Sequence, residues 1–192
     1  MSVRVITPPE AVVSLAEAKA QLNMGEDDPG TDDALISGYI LAATANLDGP
    51  AGGWLGRAIG AQELEMTLDG FPAWAPVRLP FPPIIEMVSV KYDDTSGAEQ
   101  TVDPARYRLT PAGLSLVAGA YWPTSAAVWG AVRVRYRAGY APGKVPAQIK
   151  QAILLLMADL YANREARLNT AAGKVEDNPT VERLLNTLRV YG

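Results

Sequence analysis

The period of the apolar positions changes twice along this chain, and the changes divide it into helix, strands and helix. Ser14-Leu15-Ala16-Glu17 has the form of a capping box, in which the serine hydroxyl accepts from the amide three residues on while Glu17 reaches back. Leu15, Ala18 and Leu22 then share one face of a short first helix, which Gly25 is expected to end. An acidic turn, Glu26–Gly30, follows. Thr31 or Asp32 caps a second helix, in which Leu35, Ile36, Tyr39, Ile40, Ala43 and Leu47 recur at helical spacing. Gly49-Pro50 breaks it, and Trp54-Leu55 reads as a short continuation beyond a Gly-rich elbow.

From Gln62 the period is two. Leu64, Met66 and Leu68 alternate with Glu63, Glu65 and Thr67, the pattern of a half-buried strand. Five prolines in Phe71–Pro83 exclude regular helix there. Ile84–Tyr92 reads as a strand with Val88 and Val90 alternating against Ser89 and Lys91. Asp93–Gly97 has turn chemistry, and Glu99–Val102 returns from it. Arg106–Leu109, Leu114–Val117 and Ala131–Arg137 complete a sheet of roughly five or six short strands. Pro146 suits the first position of a helix whose Ile149, Ala152, Ile153, Leu156 and Leu160 share a face, widened by Leu154, Leu155 and Met157. Ala166–Asp177 is small and polar and reads as a tether. Asn178-Pro179-Thr180 opens a last short helix with Val181, Leu184, Leu185 and Leu188 on one stripe. The fold class is therefore α+β.

Composition narrows the chemistry. No run of eighteen apolar residues is present, so no membrane span is expected. Met1–Pro9 lacks a charged start followed by an apolar block, so no secretory leader is expected either. Among 192 residues there is no cysteine and no histidine. Their absence removes disulfides, thiolate metal sites, cysteine nucleophiles, Ser-His-Asp triads and histidine zinc helices together. Catalysis by Asp, Glu, Lys or Tyr alone remains open. The net charge of −4 is the opposite of a nucleic-acid-binding footprint.

Four stretches, in this order, carry a resemblance. Leu35–Leu47 runs into Gly53-Trp54-Leu55-Gly56-Arg57-Ala58. Leu79-Pro80-Phe81-Pro82-Pro83-Ile84-Ile85 leads to Val88-Ser89-Val90-Lys91-Tyr92-Asp93. Val134-Arg135-Tyr136-Arg137-Ala138-Gly139-Tyr140 comes next, and Val145–Ile153 leads to Leu160-Tyr161-Ala162-Asn163-Arg164-Glu165. From Leu15 to Glu165 the chain resembles the phage head–tail connector (adaptor) family of long-tailed phages, prophages and gene transfer agents. The resemblance implies a helical base, two N-terminal helices packed with a long C-terminal helix, carrying an inserted small antiparallel β-domain. On that reading 1–60 is the N-terminal helical part, 61–141 the β-domain, 142–165 the core helix, and 166–192 a tether with a terminal helix. It also implies a homo-oligomeric ring, a dodecamer in the particle, beneath the portal protein and above a downstream neck or tail protein. DNA passes through that ring without sequence-specific binding. Such a protein has no catalytic, cofactor or metal residues, and works in the particle's neck after assembly in the bacterial cytoplasm.

Against that background a few residues stand out. Arg133, Arg135 and Arg137 alternate along one strand face, and serve either as contacts to an adjacent subunit or to DNA in the lumen, or as a solvated face. Val181, Leu184, Leu185 and Leu188 either dock on the portal or fold back on their own domain. Glu26, Asp27, Asp28, Asp32 and Asp33 lack the spacing of a calcium loop and read as capping and solubility residues. Glu63 and Glu65 read as a polar outer strand face rather than a catalytic pair. Gly49–Gly56 matches neither phosphate-binding glycine pattern. Trp54, Trp74, Trp122 and Trp129 are expected in the core or at subunit contacts. Two other readings stay open: a carbohydrate- or peptide-binding β-module with an aromatic cleft, and a histidine-free hydrolase with two carboxylates facing a pocket.

Overall fold

The computed structural model describes residues 1–25, 29–73, 76–163 and 179–190; the acids at 26–28, Trp74 and the tether expected over Ala166–Asp177 lie outside them. The fold is α+β, with four α-helices and a five-stranded antiparallel sheet among the described residues. Helix α1 (Leu15–Gln21) starts on the expected capping box. The Glu17 amide donates to Ser14 Oγ at 3.2 Å, and the Ser14 amide donates to the Glu17 carboxylate at 2.8 Å. That amide first, and then Lys150, hold the Glu17 carboxyl down at about 2. The helix stops before Gly25, because Asn23 takes the left-handed conformation at φ 56°. Asparagine's short polar side chain tolerates that conformation, so the later glycine is not needed.

Helix α2 (Asp33–Leu47) buries Ile36, Ile40, Ala43 and Leu47, one stripe at helical spacing. Asp32 stands at its N-cap, but its carboxylate accepts from the Tyr161 hydroxyl at 2.6 Å rather than from the helix's own amides. The bond ties the start of α2 to the end of α3 (Ala147–Ala162). Beyond α2, Trp54-Leu55 is not a helical continuation. After one 3-10 turn at Gly49–Ala51 the chain doubles back, and the amides of Gly53, Trp54 and Leu55 donate to the carbonyls of Asp48, Asn46 and Leu47. Those carbonyls have no partner inside the helix, so the return loop satisfies them.

Pro146 stands at the N-cap of α3, one residue ahead of its expected place, and the buried stripe is Ile149, Ala152, Ile153 and Met157. Leu156 is only partly buried and Leu160 is 39% exposed, so Met157 takes the place expected of them. The helix α4 (Pro179–Leu185) packs on the same cluster through Val181 and Leu185, with Leu184 and Leu188 partly buried against it. Of these side chains Ile36, Leu47, Ile149, Ile153 and Leu185 are fully enclosed, and each contributes about 1.5–3 kcal/mol by leaving water.

The sheet order is β1 (Ser2–Thr7), β2 (Gln62–Leu68), β7 (Val132–Ala138), β3 (Ile84–Asp93) and β4 (Glu99–Thr101), every neighbouring pair antiparallel. Two features depart from the sequence reading. The first strand comes from the N-terminus, so part of 1–60 belongs to the sheet. The segments at Tyr107–Thr110 (β5) and Gly113–Leu116 (β6) form a separate hairpin instead of extending the sheet. That hairpin is tied on through paired Val77 and Leu114. Along β3 the pairing slips twice, between Ile84 and Glu86 and between Met87 and Ser89. The second slip turns Val88 outward, 46% exposed, while Met87 and Val90 face the core. That core joins Leu64, Met66, Val90, Val132, Val134 and Tyr136 to the hairpin. Tyr136 sits at its centre, with its hydroxyl donating to the Pro80 carbonyl at 3.0 Å.

The helical and sheet cores meet at Asp48. Its carboxylate is 1% exposed and accepts from the Ile59 amide at 2.7 Å and from Gln62 Nε2 at 3.1 Å. Burial pushes the Asp48 carboxyl up from its usual range, against the opposing pull of these bonds. Beside it the chain crosses itself closely: a Cβ on Gly139 would stand 2.1 Å from the Gly60 carbonyl oxygen. Gln62 Oε1 has no partner among the described atoms. Once the Gln62 amide turns over, Asp48→Asn can donate to that oxygen, whereas Asp48→Ala strands the Ile59 amide and leaves Gln62 Nε2 only the Gly60 carbonyl at 3.4 Å. Urea unfolding is expected to show Asn within about 1 kcal/mol of wild type and Ala about 2 kcal/mol less stable. Equal losses for both substitutions would contradict this account of the junction.

Candidate functional site

One face of the sheet is apolar and closes over the core; the other is a charge lattice. Its register sets Arg4, Glu65 and Arg135 in one row, and Glu63, Arg137 and Glu86 in the next. Arg135 donates twice to Glu65 Oε2, at 2.8 and 3.2 Å, and lies 3.5 Å from Glu63. Arg4 takes the other Glu65 oxygen, at 2.9 Å from its Nε. Arg133 forms a fork on Asp93, at 2.6 and 3.1 Å, and reaches Glu99 at 3.1 Å. Arg137 meets Glu86 at 3.1 Å and Glu10 at 3.5 Å. Lys91 pairs with Glu99 at 2.7 Å.

Five cations therefore meet six carboxylates on this face. Arg133, Arg135 and Arg137 do share a face, as their alternation requires. Their guanidinium groups are already paired within the chain, so the face has no surplus of positive charge for phosphate. It is also not the merely solvated face that alternation allows. Glu65, expected on a polar outer surface, is 4% exposed between its two arginines. Burial alone pushes the Glu65 carboxyl up, but the bonds from Arg135 and Arg4 outweigh burial and hold it below the usual glutamate range. A carboxylate committed in this way is not a general base.

The last helix lies on the chain's own helical core. Val181 and Leu185 are buried in the chain's own helical core, with Leu184 and Leu188 against it, so its apolar stripe is not an open docking surface. The Val190 amide also donates to the Leu55 carbonyl at 2.9 Å, and Arg57 donates to the Leu188 carbonyl. The outward residues of this segment include Glu182, Arg183 and Asn186. The tryptophans divide: Trp54 packs on the helical core beneath Arg189, Trp122 stacks on Phe71, and Trp129 stands in solvent.

Two surfaces were not read from the sequence. The segment between β6 and β7 exposes Tyr121, Val128 and Trp129, and a groove of about 1120 Å³ opens beside Phe81. A signal for the first was present, since Val117–Ala131 contains no charged residue. A smaller recess near Glu10, Glu17 and Lys150 is lined by groups already paired with each other or with Arg137. No group of three or more Asp and Glu residues placed to hold a metal occurs among the described residues.

The whole architecture has counterparts in solved particles. A chain in the virion of a native gene transfer agent particle superposes with a TM-score of 0.78 at 23% identity, covering 100% of this chain and 97% of that one. A chain in the neck of an empty gene transfer agent particle, computed with C6 symmetry, gives 0.77 at 23% identity with the same coverage. One in the neck of the native particle, computed with C12 symmetry, gives 0.74 at 22%, again covering 100% and 97%. The fold is shared from end to end. At this identity the likeness is one of fold. The chain matches no protein-family model and no curated protein.

The lattice makes a pH-dependent contribution with a definite sign. Glu65's carboxyl lies lower folded than unfolded, so its stabilisation is complete at neutral pH and fades as acid protonates it, from about pH 5 downward. Glu65→Gln is expected to cost about 1–2 kcal/mol at pH 7 and progressively less below pH 4. Thermal unfolding across pH 3–7 tests this; a constant deficit at every pH would show that the ion pairs contribute nothing.

Proposed function

We propose that this chain is a structural, non-enzymatic subunit of the neck of a tailed phage or gene transfer agent particle, a head–tail adaptor that forms a ring beneath the portal. The end-to-end likeness of fold to chains in gene transfer agent particles and necks carries the reading. Identical subunits pack side by side through heterologous contacts that close. A twelve-membered ring satisfies both the C6 and the C12 symmetry used for those necks, so a dodecamer is the proposed copy number. The four helices form the base and the sheet with its hairpin the inserted β-domain. The particle assembles in the bacterial cytoplasm, and a downstream neck or tail protein meets the ring's lower face.

The charge lattice supports a passive channel. Arg133, Arg135 and Arg137 are assigned to the lateral or lumenal side of the subunit. Internal pairing there and a net charge of −4 let DNA slide past without being gripped. The portal contact assigned to the last helix runs through its outward residues Glu182 and Arg183, while Val181, Leu184, Leu185 and Leu188 fix that helix to the body. A sugar- or peptide-binding module fits less well, since the most exposed aromatics, Tyr121 and Trp129, stand on a projecting segment rather than in a cleft.

Analytical ultracentrifugation of the full chain with the portal ring from the same genetic locus tests the proposal. One larger species, with many copies per portal, is expected. The double reversal Glu182→Arg, Arg183→Glu is expected to weaken that association several-fold at unchanged melting temperature. Independent sedimentation of wild-type protein and an assembly-competent portal would remove the adaptor reading.

A further inference from the structure

We propose that each copy inserts the Tyr121–Trp129 tip of its 117–131 segment into the apolar groove beside Phe81 of the next copy. The contact rests on the ring reading above and names the surfaces through which the ring closes. Four observations converge on it.

The tip is built as an interface. Trp129 is 91% exposed and Tyr121 80%, and the fifteen residues from Val117 to Ala131 include no charge, in a chain that is one-fifth charged. Exposed aromatics with charge depletion are the composition of interface centres rather than of free surface. The tip is also held in place. Trp122 stacks on Phe71 with centroids 4.7 Å apart and planes at 5°. The Ala126 amide donates to the Asp93 carbonyl at 2.8 Å, the Gly130 amide to Asp69 at 3.0 Å, and Arg133 to the Gly130 carbonyl at 3.3 Å. Little freedom remains to be lost on docking.

The groove, of about 1120 Å³, is lined by Leu79, Phe81, Ile84, Leu109 and Pro111 among others. Tryptophan-sized side chains fit such a space easily. Arg78, an exposed residue of the lining, brings a guanidinium that can pair with an indole face.

Placement favours a second copy over self-insertion. The tip is hydrogen-bonded to Asp93, at the end of β3, whereas Ile84 in the groove begins that strand. At strand rise the two ends stand about 30 Å apart. A patch and an unlike pocket carried on different parts of one chain make, between copies, a head-to-tail contact, the kind that generates rings.

The cysteine-free chain makes the test direct. Ala127→Cys, exposed on the tip two residues before Trp129, combined with Ala112→Cys, a groove residue, is treated with a short bis-maleimide on the portal. A ladder of covalent oligomers is expected, and each single-cysteine variant should give nothing beyond dimer. Trp129→Asp, at a fully solvated site, is expected to lose about tenfold or more in assembly on the portal with unchanged melting, while Trp129→Phe retains most of it. Wild-type rings together with no ladder and normal assembly of Trp129→Asp would overturn the contact but leave the ring. A cross-link to the portal instead of to a second copy would overturn it in favour of that partner. Wild-type protein that forms no ring on the portal would remove the ring reading itself, and this contact with it.

Discussion

A buried carboxylate at the seam decides how the two halves of this molecule relate. Asp48 closes α2, accepts from Ile59 and Gln62, and so sets the angle at which β2 leaves the helices. Gly60 and Gly139 let the strands on either side approach to backbone contact there. Two hydrophobic cores joined by flexible linkers would move relative to each other. Here the seam is hydrogen-bonded, buried and sterically full, so the surfaces carried by the sheet keep a fixed orientation to those carried by the helices. In the proposed ring, a subunit that touches a neighbour on one side and other proteins above and below needs that rigidity.

The charged sheet face follows from the same economy of motion. Arginines set at every second position of β7 are held by carboxylates from β2 and β3, and from β4 and the Glu10 segment beyond the sheet. Individually such pairs contribute little where water reaches them. Grouped in three clusters, one of them around the enclosed Glu65, they fix rotamers that would otherwise roam and cancel the field that free guanidinium groups would project. Acidic balance and internal pairing therefore act in the same direction, and in the proposed channel they give a surface that does not attract a phosphate backbone.

Legibility in the sequence tracked how local each interaction is. The α1 capping box, the α2 stripe and the alternation in β2 and β7 were readable because each involves neighbours within a turn or a pleat. The edge strand β1 was not, although Val3 and Val5 alternate with Arg4, because its partner lies about sixty residues away at Glu65. The outward turn of Val88 leaves no trace in the alternation, because a bulge, a property of pairing with β7, reverses it. Met157 displaced Leu156 because a helix apolar nearly all round does not say which side its neighbours take. The three arginines could be placed on one face but not paired, since their acids come from four other segments. The last helix was legible as amphipathic, and only packing could show that its stripe faces inward.

In the proposed ring, a modest contact between neighbours is sufficient. Each subunit offers one pre-organised tip and one groove, so each docking loses little conformational freedom. A portal that gathers subunits side by side raises their effective concentration, and the final contact of a closed ring is intramolecular. Weak pairwise affinity and firm assembly are then compatible. That combination suits the proposed assembly on a portal, because a subunit with a strong head-to-tail contact would polymerise before reaching it.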